Sequence, residues 1–167
     1  MFQWIQPNII LDSVLSVTPE FLRARGITSL LLDIDSTLKS YKAAKIPEAT
    51  LCWLESLAES GIGVCLLSNG RKHRIQPIAE SLKLPFIAPA MKPLPFGCFK
   101  AIKIHGFDAR STAIVGDQVF ADILAGKFAK ITTILVTPIK PEEENWYTRI
   151  KRPFEKWVLV RKAGEDR

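Results

Sequence analysis

The sequence lacks the features of a membrane-spanning or secreted chain. No run approaches the roughly 18 to 20 apolar residues that a helix needs to cross a bilayer. The first residues, MFQWIQPNII, contain neither a basic region nor a long apolar segment of the secretory kind. We therefore expect a cytoplasmic protein, with any membrane contact peripheral and on the inner face.

Cysteine and histidine are scarce, which excludes two kinds of structural site. The three cysteines, Cys52, Cys65 and Cys98, are isolated and odd in number, so neither a disulfide framework nor a CxxC metal site is indicated. We interpret them as side chains that fill the core. The two histidines, His73 and His105, have no partner at ligand spacing, and both are expected at the surface.

Acidic residues are in the minority, and nothing divides the chain. The 167 residues include 17 acidic and 23 basic side chains, a net charge of +6, and 47% are hydrophobic, which suffices for a core. No internal repeat, low-complexity tract or linker is present. We expect one domain over residues 1–167, with an amphipathic, basic C-terminal extension at about 142–167.

What the sequence does contain is a set of apolar runs that end in polar residues. The run at 29–38, SLLLDIDSTL, ends in Asp33 and Asp35, followed by Thr37. A short leucine-rich run predicts a strand covered on both faces, and parallel sheets bind ligands at the carboxyl ends of their strands. Two carboxylates there can hold a divalent cation or attack an electrophile. Alone, DxDxT is equally compatible with Asp35 or Ser36 merely capping a turn or helix.

Later features favour function over capping. A second apolar run ends in Ser68 and Asn69, a short apolar stretch precedes Lys92, and a third strand pattern ends in Asp117, with Asp122 further on. Taken alone, Lys92 would be a solvated surface lysine. The order of hydroxyl, lysine and acidic pair after the first aspartates carries more weight than any single feature.

Between these runs the pattern becomes helical. Residues 47–60 have helical spacing of their apolar residues, with proline near the start and glycine just past the end, so they are predicted to form the first helix. Similar patterns predict two more helices, at residues 75–82 and 96–104. Pro77 is expected early in the second helix, where its missing N–H does no harm. Strands alternating with helices predict an α/β fold with a doubly wound, Rossmann-like parallel sheet and flanking helices.

The two ends of the chain have weaker patterns. Residues 1–19 are expected to form an extended entry and a short helix. From Pro141 onward we expect a helix that is interrupted near Pro153.

These motifs together resemble those of the haloacid dehalogenase superfamily of phosphatases. The segment DIDST at 33–37, the Ser68-Asn69 pair, Lys92, and Gly116-Asp117 through Asp122 match its four motifs. The resemblance implies a haloacid dehalogenase-type fold, and it covers roughly residues 10–155, which would form the core.

Within the superfamily the chain resembles subfamily IIIA, which includes phosphatidylglycerophosphate phosphatases. The shared features are the Lys92-Pro93 pair and the strings GDQVFADILAG and TILVTPI. Two positions depart from the pattern: Ser36, where relatives more often carry Asn, and Gly70, where a further polar residue is usual. These departures bear on substrate preference rather than on catalysis.

The aspartates can be assigned roles in phosphate transfer. An ionised carboxylate needs no base, so Asp33 is the candidate nucleophile that forms an aspartyl-phosphate, with Asp35 as acid and then base. The resemblance implies Mg²⁺ bound by the Asp33 side chain, the Asp35 backbone carbonyl and Asp117, with Asp122 in a supporting, indirect role. Hard oxygen ligands suit that ion.

Four further residues are expected to hold the phosphoryl oxygens. Developing negative charge in the transition state calls for hydrogen-bond donors and a cation around the phosphoryl group. By position in the motifs, these are Thr37, Ser68, the Asn69 backbone and Lys92.

The spacing of the motifs leaves no room for a cap domain. Residues 38–67 and 70–91 are taken up by predicted helices and strands, and a cap of about 50 residues or more fits in neither stretch. We therefore expect a capless, open site with only the loop at 39–46 as a flap. Such a site suits a lipid headgroup, a nucleic-acid end or a protein, unless oligomerisation builds the lid.

Basic and aromatic residues favour an anionic phospholipid and a membrane surface as partners. Arg71, Lys72 and Arg74 directly follow the second motif. Near the C-terminus, large apolar residues recur at helical spacing among basic ones: Trp146, Tyr147, Ile150, Phe154, Trp157 and Val158, with Arg149, Lys151, Arg152 and Lys156. This pattern suits an anionic membrane interface. The alternative is that the segment packs on the sheet and its charges are ordinary helix surface.

The predicted function is a magnesium-dependent phosphomonoesterase that converts phosphatidylglycerophosphate to phosphatidylglycerol in phospholipid biosynthesis. The reaction class comes from the residues, and the substrate comes mainly from the resemblance. Alternatives are a capless phosphatase of nucleic-acid ends or a sugar phosphate, acting as an oligomer, or a non-catalytic binding protein. Nucleic acid is disfavoured because residues 38–45 offer Tyr41 and lysines but little else for base stacking. Oligomeric state is left open.

Overall fold

Parallel strands form the centre of the molecule. The structure is a computed structural model that describes residues 3–144, 146, 148–150 and 153–155. The strands are β1 Ile9–Leu11, β2 Ser29–Leu32, β3 Gly63–Leu67, β4 Phe86–Ile87, β5 Thr112–Gly116 and β6 Thr132–Val136. They form one parallel sheet in the order β1-β6-β5-β2-β3-β4.

Helices cover both faces of this sheet. The α-helices are α1 Pro19–Arg23, α2 Glu48–Glu59, α3 Lys72–Leu82, α4 Phe96–His105 and α5 Leu124–Ala129. A π turn at Val119–Ile123 runs directly into α5, and short 3-10 turns lie at Gln3–Ile5, Val14–Ser16, Ala109–Ser111 and Pro141–Glu143. The predicted α/β class, with its doubly wound parallel sheet, is confirmed.

Burial on both faces explains the continuous apolar runs of the central strands. Along β2, Leu30 and Leu32 point into a core with Trp53 and Leu57 of α2, whereas Leu31 points to the opposite side. There it packs with residues of α4 and α5, including Cys98, Ala101 and Ala125. A strand buried on both faces needs apolar residues at successive positions, so it shows no polar alternation.

The chain order reverses at β2, which places the site. From β2 the chain crosses to β3 and β4 on one side and then returns to β5 on the other. Ligands in open α/β sheets bind in the crevice at such a switch point. Asp33 follows β2, and its backbone N–H donates to Val115 of β5 at 3.0 Å. The first and fourth motifs are therefore adjacent in space.

The N-terminal entry contains a strand that the sequence did not predict. Ile9–Leu11 pairs in parallel with β6, and Asn8 anchors it through hydrogen bonds of 3.0 Å in both directions with Thr133. A strand of three residues gives too short a pattern to recognise. The strand forms because the neighbouring edge of β6 is available for pairing. The prediction of a short helix within residues 1–19 is wrong for the described residues 3–19, where only 3-10 turns form, at Gln3–Ile5 and Val14–Ser16, and α1 begins at Pro19.

The predicted helices are confirmed, with one error in the second. Helix α2 lies within the predicted range, with Pro47 before its first residue and Gly61 past its end at φ +73°, a backbone conformation that glycine adopts without strain. Helix α3 begins at Lys72 rather than at residue 75. Pro77 is therefore inside the helix and not in its first turn, so the expectation that its missing N–H is harmless was wrong. The buried Ile75 offsets the lost bond by packing.

Two predictions about scarce residues need correction. Cys65 and Cys98 fill the core as expected, and burial raises the pKa of each thiol to about 12. Cys52 is exposed, because it lies on the outer face of α2. His73 is exposed as expected, whereas His105 is half-buried and packs against Phe107 at a ring distance of 5.6 Å.

The described part of the C-terminal extension packs partly on the core. Residues 146, 148–150 and 153–155 are helical, and Glu144, Thr148 and Glu155 are buried. Glu155 accepts a hydrogen bond of 3.1 Å from the backbone of Phe120. Among the described residues no helix is long and apolar enough to cross a membrane. Predicted interface positions that lie outside the described residues are Tyr147, Lys151, Arg152, Lys156, Trp157 and Val158.

Candidate active site

A cavity of about 460 Å³ opens at the carboxyl edge of the sheet. Five of the eight predicted site residues line it: Asp33, Asp35, Ser68, Asn69 and Lys92. The other three, Thr37, Asp117 and Asp122, are buried, and each has a polar contact that links it to the site. The fold thus assembles all eight residues around one position, although they span most of the chain.

Lys92 is the hub of the site. Its buried ammonium donates to Asp33 Oδ1 at 2.5 Å, to Asp122 Oδ1 at 2.6 Å and to the Leu67 carbonyl at 2.8 Å. Burial alone lowers the pKa of Lys92, but the carboxylates of Asp122 and Asp33 outweigh that effect and raise it above its usual range. Lys92 is therefore a permanently charged group that joins the ends of β2 and β3 to the π turn.

Asn69 fixes the backbone that carries Lys92. The Asn69 side chain donates to the Lys92 carbonyl at 2.8 Å and accepts from the Lys92 N–H at 2.7 Å. By bonding to both the N–H and the carbonyl of one residue, the amide side chain restrains that residue much as a neighbouring β-strand would. The sequence predicted a phosphate contact for the Asn69 backbone, which stays a prediction, and it did not reveal this role of the side chain.

Three buried carboxylates lie close enough together to hold a cation. Oxygen atoms of Asp33, Asp117 and Asp122 lie within 4.8 Å of one another. Burial raises the pKa of Asp33 well above its usual range, Lys92 opposes this effect, and the charges of Asp122 and Asp117 raise the pKa further. One lysine cannot neutralise three carboxylates. A set of hard oxygen donors with excess negative charge fits Mg²⁺.

Asp122 faces Lys92 because the neighbouring strand end has no side chain. Its Oδ1 binds Lys92, and its Oδ2 accepts from the Gln118 backbone at 3.1 Å. A Cβ at position 116 would lie only 2.2 Å from the Asp122 carboxyl carbon, so Gly116 is required for this packing. Both oxygens of Asp122 thus accept hydrogen bonds from protein groups, and its expected indirect role toward a metal stays a prediction.

Thr37 and Ser68 provide hydroxyl groups at different depths. The buried Thr37 hydroxyl donates to Asp117 Oδ1 at 2.8 Å and does not line the cavity. It orients a candidate metal ligand here, and the phosphate contact expected of it stays a prediction. The Ser68 hydroxyl lines the cavity and accepts from the Gly70 N–H at 3.0 Å, so its own hydrogen can donate to a bound oxygen.

Asp35 has partners that the sequence analysis did not identify. Arg74 donates to both of its carboxylate oxygens, and Lys39 contacts Oδ1 at 3.4 Å. Lys39 and Ser40 are buried, so the loop expected to act as a flap at 39–46 is packed at its start. Asp35 and Lys39 lie at the two ends of a turn after β2, where their spacing in the sequence does not by itself indicate an ion pair. Nothing in the sequence indicated that Arg74 would reach Asp35.

Other lining residues also went unrecognised. Residues from the loop after β2, the π turn and the C-terminal extension complete the cavity: Tyr41, Gln118, Phe120, Ala121, Glu144 and Thr148. Beside Lys92, a group of exposed apolar side chains occupies the third motif and the start of α4: Met91, Leu94, Phe96 and Phe99. These contributions depend on how the extension and α4 pack, which single-sequence patterns do not specify.

Comparison with known proteins agrees with this geometry. A sequence model described as haloacid dehalogenase-like hydrolase matches residues 10–130. The chain belongs to this family. It is 29% identical over 153 residues to the protein named probable phosphatase YqeG of Bacillus subtilis, a match that covers 92% of this chain and 88% of that protein.

Solved structures show the same fold at low sequence identity. An uncharacterized protein from Listeria monocytogenes has a TM-score of 0.58 at 16% identity, with 81% of this chain and 99% of that chain covered. The cobalt-bound deoxy-D-mannose-octulosonate 8-phosphate phosphatase from Haemophilus influenzae has a TM-score of 0.56 at 19% identity, with 67% and 69% covered. At these identities the likeness concerns the fold alone.

Replacing Lys92 should destabilise the metal-free protein strongly. Lys92→Met leaves three buried carboxylates without their cation, and breaking a buried pair in this way costs about 3–5 kcal/mol in the free energy of unfolding. Urea denaturation in the presence of a chelator measures the change. The exposed Lys72→Met is the matched control, and adding Asp122→Asn to Lys92→Met should recover part of the loss. A change below about 1 kcal/mol would contradict the role of Lys92 as hub.

Proposed function

We propose that this protein is a phosphomonoesterase that forms an aspartyl-phosphate on Asp33 and acts on the headgroup of phosphatidylglycerophosphate. The observation that carries the reaction class is the placement of Asp33: its Oδ1 is held by Lys92, and it lines the cavity beside Asp35. Among the described residues no side chain donates to its second oxygen, so that oxygen is available to attack phosphorus.

The two aspartates divide the chemistry. Asp33 Oδ2 attacks phosphorus, forming the acyl phosphate as the bond from phosphorus to the leaving oxygen breaks. Asp35 gives its proton to the leaving alkoxide, so the alcohol departs neutral. Asp35 then takes a proton from water as the water oxygen attacks phosphorus and the bond to Asp33 breaks. Phosphate is released, and both carboxyl groups return to their starting states.

The surrounding residues stabilise charge during both steps. The Ser68 hydroxyl and the Asn69 backbone N–H would hold the phosphoryl oxygens as they gain charge. The Lys92 ammonium would stabilise them by its charge, since Asp33, Asp122 and Leu67 accept its three hydrogens. Asp33, Asp117 and the backbone carbonyl of Asp35 would hold Mg²⁺, which when bound offsets the repulsion between the carboxylate and the phosphate dianion.

An open, basic mouth supports an anionic lipid as substrate. Arg71, His73 and Arg74 line the cavity on the side of α3. In the chain on either side of the lining residues Lys92 and Pro93, the apolar side chains of Met91, Leu94, Phe96 and Phe99 are exposed. A cationic rim beside exposed apolar groups suits a phospholipid whose headgroup enters the cavity while its acyl chains stay in the membrane.

The C-terminal extension supplies a second apolar surface. Trp146, Ile150 and Phe154 are 74%, 57% and 63% exposed, and they recur four residues apart in the sequence, the spacing of one helix face. We refer to these three exposed side chains as the apolar stripe. Thr148 and Glu155 on the same segment are buried, so the stripe faces away from the core. An apolar stripe on a chain with net charge +6 supports peripheral binding to an anionic bilayer.

Asp33→Asn should remove all turnover. The amide is nearly isosteric but cannot form an acyl phosphate, so phosphate release should fall by at least a factor of about 1000, which corresponds to roughly 4 kcal/mol of barrier. Phosphate release is measured with phosphatidylglycerophosphate, sugar phosphates, phosphorylated oligonucleotides and an aryl phosphate. Wild-type rates in a purified Asp33→Asn sample would end the phosphatase proposal, and preference for another class in the panel would change the substrate.

Asp117→Ala should abolish magnesium-dependent activity while leaving the fold intact. The substitution removes one of the carboxylates that would hold the ion. Ca²⁺ should bind to the wild-type protein without supporting turnover, because it accepts more ligands at longer distances and can engage both oxygens of Asp33. Rates with each ion after chelation, together with calorimetric titration of each ion, make the measurement. Full activity after exhaustive chelation would contradict the metal assignment.

The apolar stripe should control binding to vesicles. Trp146→Ala/Phe154→Ala should weaken binding to anionic vesicles at least tenfold, since full burial of a large apolar side chain is worth about 1.5–3 kcal/mol. Ile104→Ala, an exposed apolar position at the far end of α4, is the control. Sedimentation with vesicles at increasing salt measures the effect, and hydrolysis of a soluble aryl phosphate should not change. Equal binding by all three proteins would rule out this surface.

A further inference from the structure

Arg74 forms a bidentate ion pair with Asp35 at the mouth of the cavity. Its Nη1 donates to Asp35 Oδ1 at 3.0 Å, and its Nη2 donates to Oδ2 at 2.5 Å. The Arg74 side chain is 39% exposed and that of Asp35 is 16% exposed, so solvent or a ligand can reach the guanidinium. This geometry is the fork arrangement by which arginine binds carboxylates and phosphates.

This ion pair conflicts with the role proposed for Asp35. A general acid must lie within hydrogen-bond reach of the leaving oxygen. Here both oxygens of Asp35 accept hydrogen bonds from Arg74, and Lys39 is also near Oδ1. Asp35 must exchange at least one of these bonds before it can serve a substrate.

The space for the guanidinium comes from the missing side chain at position 70. A Cβ built on Gly70 would lie 2.4 Å from Arg74 Nη2 and 2.9 Å from Ile75 Cδ1. The backbone of Gly70 does not have a positive φ, so an alanine would adopt it without strain. The contact between Arg74 and Asp35 is therefore tied to a feature of this chain.

The position of Arg74 determines which part of a substrate it can contact. Asp35 serves the leaving oxygen, so a residue bonded to Asp35 on the cavity wall lies on the side of the leaving alcohol. The transferred phosphoryl group would be bound at Asp33, where Ser68 and Lys92 also lie. The ligand of Arg74 would thus belong to the alcohol, and a planar guanidinium selects an anionic group with two oxygens.

We propose that Arg74 recognises a second anionic group on the leaving alcohol, such as a phosphodiester, and releases Asp35 when it binds that group. The inference rests on the proposed phosphatase function and adds a substrate class: phosphomonoesters whose alcohol carries a nearby phosphodiester. Without the second anion, the guanidinium stays on Asp35 and slows the reaction. With it, one anion replaces another on Arg74, and the released Asp35 takes up a proton from solvent, which it then gives to the leaving oxygen.

A matched pair of soluble substrates isolates this effect from membrane binding. Glycerol 3-phosphate has a neutral alcohol, whereas deacylated phosphatidylglycerophosphate adds a phosphodiester to the same glycerol unit and has no acyl chains. The measured quantity is the ratio of kcat/KM for the second substrate to that for the first. We expect the wild type to favour the phosphodiester substrate by about 10- to 100-fold, the factor that a hydrogen-bonded charged contact provides.

Three variants and one control separate the recognition of the substrate by Arg74 from the restraint that Arg74 places on Asp35. Arg74→Ala should bring the ratio close to one, mainly through a higher KM for the phosphodiester substrate, and Arg74→Lys should recover only part of it, because lysine lacks the fork. Gly70→Ala should displace the guanidinium from Asp35 but keep its charge, so kcat for glycerol 3-phosphate should rise severalfold. Lys72→Ala removes a positive charge two residues away, outside the cavity, and should leave the ratio within twofold.

A purely structural ion pair gives different results. In that case Arg74→Ala would slow both substrates equally and leave the ratio unchanged, and Gly70→Ala would lower kcat for both. Either outcome would overturn the proposal.

Binding without turnover keeps this inference separate from the proposed function. Glycerophosphoglycerol carries the phosphodiester but no phosphomonoester, and an NMR titration measures its affinity. We expect the affinity for Arg74→Ala to be at least tenfold weaker than for the wild type. Such a loss would support the recognition site even if no phosphomonoester were hydrolysed, a result that would count only against the phosphatase proposal. Equal affinities would overturn the recognition site even if hydrolysis were robust.

Discussion

The buried ammonium of Lys92 is the interaction on which the rest of the site depends. Bringing the carboxylates of Asp33, Asp117 and Asp122 within 4.8 Å of one another in a water-poor pocket is strongly unfavourable unless positive charge accompanies them. Lys92 provides one such charge and contacts two of the three directly. The remaining excess of negative charge is of the kind that a divalent cation would offset. The Asn69 side chain holds Lys92 in place for this role, because it forms hydrogen bonds with both the N–H and the carbonyl of Lys92.

The parallel sheet makes that arrangement possible. Strands β2, β3 and β5 are neighbours and run in the same direction, so the residues that follow them meet at one edge although they are far apart in the chain. Small side chains at particular positions then permit the close approaches. Gly116 lets the Asp122 carboxylate lie against the end of β5, and Gly70 lets Arg74 cross to Asp35. The deep part of the site is thus rigid and buried, whereas its mouth is formed by long, partly exposed side chains.

The buried residues at the centre of the site would carry out the reaction, whereas the residues at its mouth would select the substrate. The buried residues belong to a haloacid dehalogenase-like hydrolase and would serve any phosphomonoester. The mouth is lined by the Arg74 guanidinium and by Glu144 and Thr148 of the C-terminal extension, and exposed apolar side chains are present at the start of α4 and at Trp146, Ile150 and Phe154. A capless site has no second domain to grip a substrate, so these surface groups would have to select it. Choice of substrate in this protein would therefore depend on residues outside the four motifs.

The sequence by itself was enough to predict the central strands, the main helices and the eight residues that the fold brings together at one edge of the sheet. Continuous apolar runs reveal strands buried on both faces, and charged residues directly after such runs, as at Asp33 and Asp117, are rare unless they have a function. The tertiary structure decided what these patterns do not encode. Strand β1 forms only because β6 offers a free edge, Thr37 orients Asp117 because their strand ends are adjacent, and Arg74 reaches Asp35 only because Gly70 lacks a side chain. Such contacts join residues that are distant in sequence, and their energies depend on distances and burial that only the folded chain sets.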